Sequence, residues 1–143
     1  MRKTAILTVC AAFAISVLVG GCATGAKGPS DEELITSTLT NWKAGMEDKN
    51  VDLIEMAISD EFSHYEYGNK DQMVSFLSGA FNDGTLDSAK VALETAETKV
   101  DGDTASVYPV ELMASFGSAT LGFTLTKEAD GVWRVTTMTV EGV

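Results

Sequence analysis

Histidine occurs once, at His64, and cysteine only twice, at Cys10 and Cys22, both near the start of the chain. The rest of the sequence has no thiol from which to build a disulfide or a thiolate metal site. A metal centre of histidine and carboxylates is equally disfavoured, because the carboxylates are scattered over turns instead of standing at ligand spacing. No serine or threonine stands in a nucleophile elbow with a histidine to serve it. No glycine-rich phosphate loop occurs, and no cofactor is expected. Basic residues are scarce: ten Lys and Arg stand against 21 Asp and Glu, a formal net charge of −11. That balance argues against nucleic-acid binding and against electrostatic attraction to anionic lipid, since both need a positive surface.

What is present begins with "MRKTAILTVCAAFAISVLVGGC", where Arg2 and Lys3 precede an apolar run from Ala5 to Val19 and small residues close the segment. The run is shorter than the ~20 residues a spanning helix requires, so it reads as an export signal. Its end, Val19-Gly20-Gly21-Cys22, resembles the lipobox of bacterial lipoproteins. The resemblance implies cleavage after Gly21, acylation of Cys22 and anchorage in the lipid bilayer. Ala23 in place of Asp behind the cysteine further implies an outer-membrane lipoprotein facing the periplasm. Each buried methylene contributes ~0.8 kcal/mol, so several acyl chains hold such a protein firmly. The expected organisation is a cleaved signal over 1–21, lipidated Cys22 with a Gly/Ala-rich tether over 22–29, and one folded domain over 30–143.

Ser30-Asp31-Glu32-Glu33 has the spacing of a helix capping box, and Leu34, Ile35, Leu39, Trp42 and Met46 continue from it at near-helical period. This predicts a helix from Ser30 to about Glu47. A short second helix is expected after Asn50 through Val51, Ile54 and Ile58. "EFSHYEY" then reads as a strand. Asn69 and Gln72 form another cap pair, opening a third helix through Met73, Phe76, Leu77 and Phe81. Thr and Val rise thereafter, and turn signals at Asp101-Gly102, Gly117-Ser118 and Asp130-Gly131 delimit four expected strands. These are Ser88–Val100, Thr104–Ser115, Thr120–Lys127 and Val132–Val140. Helices grouped before strands indicate an α+β domain with a mainly antiparallel sheet.

The stretches "TNWKAGMEDKNVDLIEMAISDEFSHYEYGNKDQMVSFL", "DGDTASVYPVEL" and "DGVWRVTTMTV" resemble the nuclear transport factor 2-like superfamily, the SnoaL-like or ketosteroid isomerase-like cone domain. The resemblance covers nearly all of the chain after the tether. It implies a cone-shaped domain of three N-terminal helices packed on a curved antiparallel sheet. The superfamily includes isomerases, dehydratases, hydrolases, ligand-binding domains and assembly modules, often dimeric, so fold alone does not choose an activity. Compared with the ketosteroid isomerase branch, the tyrosine oxyanion donor of helix one falls on Trp42, the catalytic base on Glu66, and the second donor near Phe123.

Strand alternation through "FSHYEYG" would put Phe62, His64 and Glu66 on one face and Ser63, Tyr65 and Tyr67 on the other. His64 and Glu66 are therefore the candidate catalytic pair, each also readable as an ordinary buried or solvated residue. Trp42, Phe62, Tyr108, Glu111 and Phe123 are the candidate ligand-binding residues. Pro109 suggests an edge strand or a bulge beside Tyr108 and Glu111. The favoured reading is an anchored domain that binds a small apolar ligand or a protein partner. An enzyme using Glu66 or His64 as general base is the alternative, and so is a homodimer packed through the convex sheet face.

Overall fold

The computed structural model describes residues 27–142. The signal and Cys22 lie outside the described residues. Helix α1 spans Asp31–Asp48, with Ser30 Oγ accepting from Glu33 N at 3.2 Å and Glu33 Oε2 accepting from Ser30 N at 2.7 Å. It ends where Lys49 turns into the left-handed region at φ 54°. Helix α2, Val51–Ala57, is capped by Asn50, whose Oδ1 accepts from Leu53 N. Ile58, expected as its last apolar residue, leaves the helix to form a parallel bridge with Val135.

The segment expected as one strand is instead a tight hairpin: β1, Ser63–His64, pairs with β2, Gly68–Asn69, across a turn of Tyr65, Glu66 and Tyr67. Helix α3, Lys70–Asn82, opens on the reciprocal Asn69/Gln72 cap. The expected strand over 88–100 is broken by a turn at 93–96 into β3, Lys90–Ala92, and β4, Glu97–Asp101. Both pair with the same edge of β5, Thr104–Ala114, at opposite ends of its length. Strands β6, Gly117–Lys127, and β7, Trp133–Glu141, complete an antiparallel sheet in the order β3/β4, β5, β6, β7.

Strand β5 carries a bulge. Val107 pairs with Phe123 and Val110 with Leu121, so Tyr108 and Pro109 together face Gly122. A bulge inserts one residue and inverts the alternation beyond it. Val107, Val110 and Leu112 consequently all point to the helices and are buried. Regular alternation would set Val107 and Met113 on one face against Val110 and Leu112 on the other, the motive for expecting a dimer packed through the convex face, and the bulge removes that motive. That face instead carries Ser106, Thr120, Thr124 and Thr126, with Tyr108 and Met113 exposed among them.

The helices cover the opposite, inner face. One continuous core joins Ile35, Met46 and Ile54 to Val110, Leu125, Trp133 and Val135, each no more than 1% exposed. Helices α1 and α2 meet closely because Gly45 lacks a side chain: a Cβ there would lie 2.6 Å from Ile54 Cγ1 and 2.9 Å from Asn50 O. Gly45→Ala is expected to lower the unfolding free energy by about 1–3 kcal/mol through overpacking, read as a shift of the urea midpoint at unchanged slope.

Asp31 ties the start of α1 to the sheet, its Oδ1 accepting from Lys127 Nζ at 2.8 Å and from Trp133 Nε1 at 3.0 Å. The Lys127 hydrogen bond first, and the indole bond second, hold its carboxyl below the ordinary 3.8. The folded chain binds that proton less tightly than the unfolded chain, so the contribution is present above the unfolded value and fades as pH falls through the folded one. Asp31→Asn should therefore flatten the acid limb of the melting temperature, measured from pH 5 down to about pH 2.

Candidate functional site

Between the helices and the sheet lies an apolar cavity of about 220 Å³. Trp42 and Met46 of α1, Ile58 and Phe62 behind α2, and Met73, Phe76, Leu77 and Ala80 of α3 form its helical wall. Its floor is the inner face of the sheet, from Leu112 of β5 through Ala119, Leu121 and Phe123 of β6 to Val135, Met138 and Val140 of β7. Phe116, at the turn between β5 and β6, and Phe76 are both partly exposed and also belong to the lining. Trp42 meets Phe123 edge to face, with ring centroids 4.9 Å apart.

Among the described residues no charged side chain lines this cavity. Tyr67 is its only titratable group, and burial first, then the nearby Glu66 charge, raises its phenol above 10.0. Thr85, the other residue of the lining with a hydroxyl, donates its backbone N–H to Asp83 Oδ1 at 2.9 Å. Such an apolar space suits binding by area and shape.

Trp42, Phe62 and Phe123, expected at a ligand site, do line the cavity. His64 does not. It is buried beside the cavity, where Nδ1 accepts hydrogen bonds from Glu66 N at 3.1 Å and Tyr67 N at 3.2 Å. Its ring lies between those of Tyr65 and Tyr67, at centroid distances of 4.5 and 4.8 Å. Two backbone donors converge on Nδ1, which is thereby used as an acceptor. This histidine organises a turn.

Because the strand ends at His64, alternation does not continue to Glu66, which projects into solvent from the turn. The inner row of His64 beside Glu66 is corrected accordingly. Tyr67, expected to point outward, is the residue of the turn that reaches the cavity and packs against Phe76 at 4.8 Å. The signal for this arrangement is the Gly68-Asn69 pair: a left-handed glycine and a helix N-cap immediately after Tyr67 leave no length for a strand.

Tyr108 and Glu111 also lie away from the cavity, on the outer sheet face. The Tyr108 ring packs over Gly122, and Glu111 accepts from Thr120 Oγ1 at 3.1 Å. The bulge explains both, since it turns Val107 and Val110 inward and leaves Tyr108 and Glu111 outside. A polar surface cleft elsewhere contains Asp60, Lys70, Glu128, Asp130 and Arg134. Its cations are already paired: Lys70 with Asp60 at 2.8 Å, and Arg134 with Glu128 and with Asp130 at 2.9 Å. Among the described residues no group of three or more His, Cys, Asp or Glu is placed to hold a metal, and no helix is long and apolar enough to cross a membrane.

Similar shapes occur among solved structures. A ketosteroid isomerase-like protein from Shewanella frigidimarina superposes with a TM-score of 0.63 at 14% identity, over 76% of this chain and 94% of that one. A nuclear transport factor 2-like protein of unknown function from Shewanella baltica gives 0.60 at 17%, over 78% and 94%. A protein of unknown function with a cystatin-like fold from Nostoc punctiforme gives 0.62 at 12%, over 78% and 90%. No family model matches the sequence, and neither does any curated protein. The chain has the nuclear transport factor 2-like, or cystatin-like, fold.

The His64 geometry is testable without a ligand. Asparagine can present Oδ1 where imidazole presents Nδ1, so His64→Asn should retain the turn with little loss of stability. His64→Phe, which keeps a ring but no acceptor, strands two backbone N–H groups and should cost about 1–3 kcal/mol in chemical denaturation.

Proposed function

We propose that this protein is a lipid-anchored binding protein of the bacterial envelope whose cone takes up a small apolar molecule. The observation that carries the reading is the cavity of about 220 Å³ between helices and sheet, lined without a single charged side chain among the described residues. An engineered cavity of about 150 Å³ lined by aliphatic and aromatic residues binds benzene, so this one has room for roughly ten carbon atoms. Methionines at positions 46, 73 and 138 line it, and their unbranched side chains adapt to ligand shape.

Anchorage rests on the Val19-Gly20-Gly21-Cys22 sequence, with acylated Cys22 holding the domain at the outer membrane on its periplasmic side. The acidic balance of the chain suits a domain held off an anionic surface by its tether. The catalytic alternative has less support, because Glu66 faces solvent and the His64 acceptor nitrogen is occupied by two backbone donors. A homodimer remains an assembly question separate from the cavity. Cys22→Ser should abolish the mass increment of acylation and release the protein from membranes into the soluble fraction.

Naphthalene, apolar and of ten carbons, is the direct probe of the cavity. It should bind the purified detergent-free chain, and Ala119→Leu, which fills the floor, should weaken it at least tenfold while leaving the melting temperature equal or higher. Equal binding by both proteins would overturn the cavity reading.

A further inference from the structure

The mouth of the cavity is aromatic, and the elements that form it are uncharged there. Phe76 of α3 and Phe116 of the turn between β5 and β6 both line the cavity while staying 49% and 36% exposed, so they mark where it opens. A row of rings leads outward from Phe76: Tyr67 at 4.8 Å, His64 at 4.8 Å beyond it, and then Tyr65 at 4.5 Å, itself almost wholly exposed. Between Asp71 and Asp83, and again between Glu111 and Lys127, no residue is charged. Ser115 joins these two stretches by donating through Oγ to Thr85 O at 2.8 Å. Glu66 and Asp83 border the patch, and Asp87 behind it is paired with Lys49. The opposite end, where the chain enters α1, is acidic. Glu32, Glu33, Asp101, Asp103, Glu128 and Asp130 stand on the start of α1 and the two turns beside it, against Lys99, Lys127 and Arg134. On a chain of net charge −11, the aromatic mouth is the face where contact with apolar material desolvates the fewest charges.

We infer that this face docks, mouth down, on the surface of the lipid bilayer to which acylated Cys22 ties the chain, with Phe76, Phe116 and Tyr65 entering the boundary between headgroups and acyl chains. This rests on the anchorage proposed above and adds the orientation of the domain. Aromatic rings are the side chains that settle at that boundary. The acidic end is unsuited to it, since carboxylates would have to shed water there. The same acidity makes zwitterionic lipid the better surface and anionic lipid the worse. Cys22 stands eight residues before Ser30, and at ~3.3–3.6 Å per residue that length reaches at most ~26–29 Å. The run of α1 from Asp31 to Met46 covers ~22 Å at a rise of ~1.5 Å per residue, so the mouth lies within reach of the anchor. An apolar ligand would then pass between bilayer and cavity without crossing water.

The acylated chain reconstituted in phosphatidylcholine vesicles tests this. Cys10 belongs to the signal and Cys22 carries the lipid, so a single added cysteine can be labelled with bimane. Ser118→Cys places the label beside Phe116, and Asp103→Cys places it at the acidic end. Quenching by phosphatidylcholine brominated on its acyl chains should be at least about threefold stronger at position 118 than at position 103. Combining Phe76→Ser with Phe116→Ser should bring position 118 down to the level of 103. Ser75→Glu, an exposed position on α3, adds a carboxylate to the patch and removes no ring. It should lower the quenching as well, which separates docking from any loss of fold in the double variant. Equal quenching at the two positions, or stronger quenching at 103, would overturn the orientation. A label at 118 shielded from aqueous iodide yet not quenched by bromolipid would also overturn it, in favour of a second copy of the chain covering the mouth. A wild-type chain without the mass of an acyl group, and absent from the vesicles, would instead overturn the anchorage. Failure of naphthalene to bind, with the quenching pattern intact, would overturn the cavity reading and leave the docking face standing.

Discussion

The bonds around Trp133 at the start of β7 pin the first helix to the sheet, and Glu47 at the far end of α1 makes a second attachment by accepting from Val91 N of β3 at 2.9 Å. Thr38 Oγ1 donates to Trp133 O at 2.6 Å, Ser59 N donates to Val135 O at 2.9 Å, and Asp31 receives the Trp133 indole proton. These bonds take up carbonyls on the free edge of β7 that would otherwise invite another strand. They also close the two layers tightly around Trp133, which is fully buried. Farther along both elements, from Trp42 to Met46 on α1 and from Met138 to Val140 on β7, the same layers line the cavity. The cavity end is tied as well, by Ser115 Oγ donating to Thr85 O at 2.8 Å and Ser115 N donating to Asp87 O at 3.0 Å.

The helical layer was legible because its signals are local and chemically redundant. Ser30 with Glu33, and Asn69 with Gln72, state where two helices begin, and the structure uses both pairs in the reciprocal bonds that their spacing implies. The sheet was legible in its turns and much less so in its phase. Nothing in "VYPVEL" by itself says whether Pro109 ends pairing or merely displaces it, so the faces of Tyr108 and Glu111 could not be read. In "SHYEYGN" the misleading element was an aromatic composition typical of strands, overridden by a histidine nitrogen gathering two backbone donors. Pattern reading assumes that backbone donors go to neighbouring strands, and here they went to a side chain.

The site was legible in the same uneven way. Trp42, Phe62 and Phe123 could be placed near a ligand space by position, while Met73, Leu77 and Val140 look no different in sequence from residues of a solid core. An apolar side chain that lines a cavity and one that fills a core obey the same periodicity. The distinction is made by how far apart two layers stand.

The bulge at Tyr108 and Pro109 divides β5 into two stretches that keep separate phase. Upstream, odd-numbered positions face the helices; downstream, even-numbered ones do. Chain length at this point is therefore informational. Losing one of the two residues that face Gly122 would restore regular pairing and leave Val110 and Leu112 in the interior, whereas losing both would carry them to the outer face. Length variation among natural homologues at this point should accordingly be the presence or absence of the single bulge residue, even where the amino acids themselves vary freely.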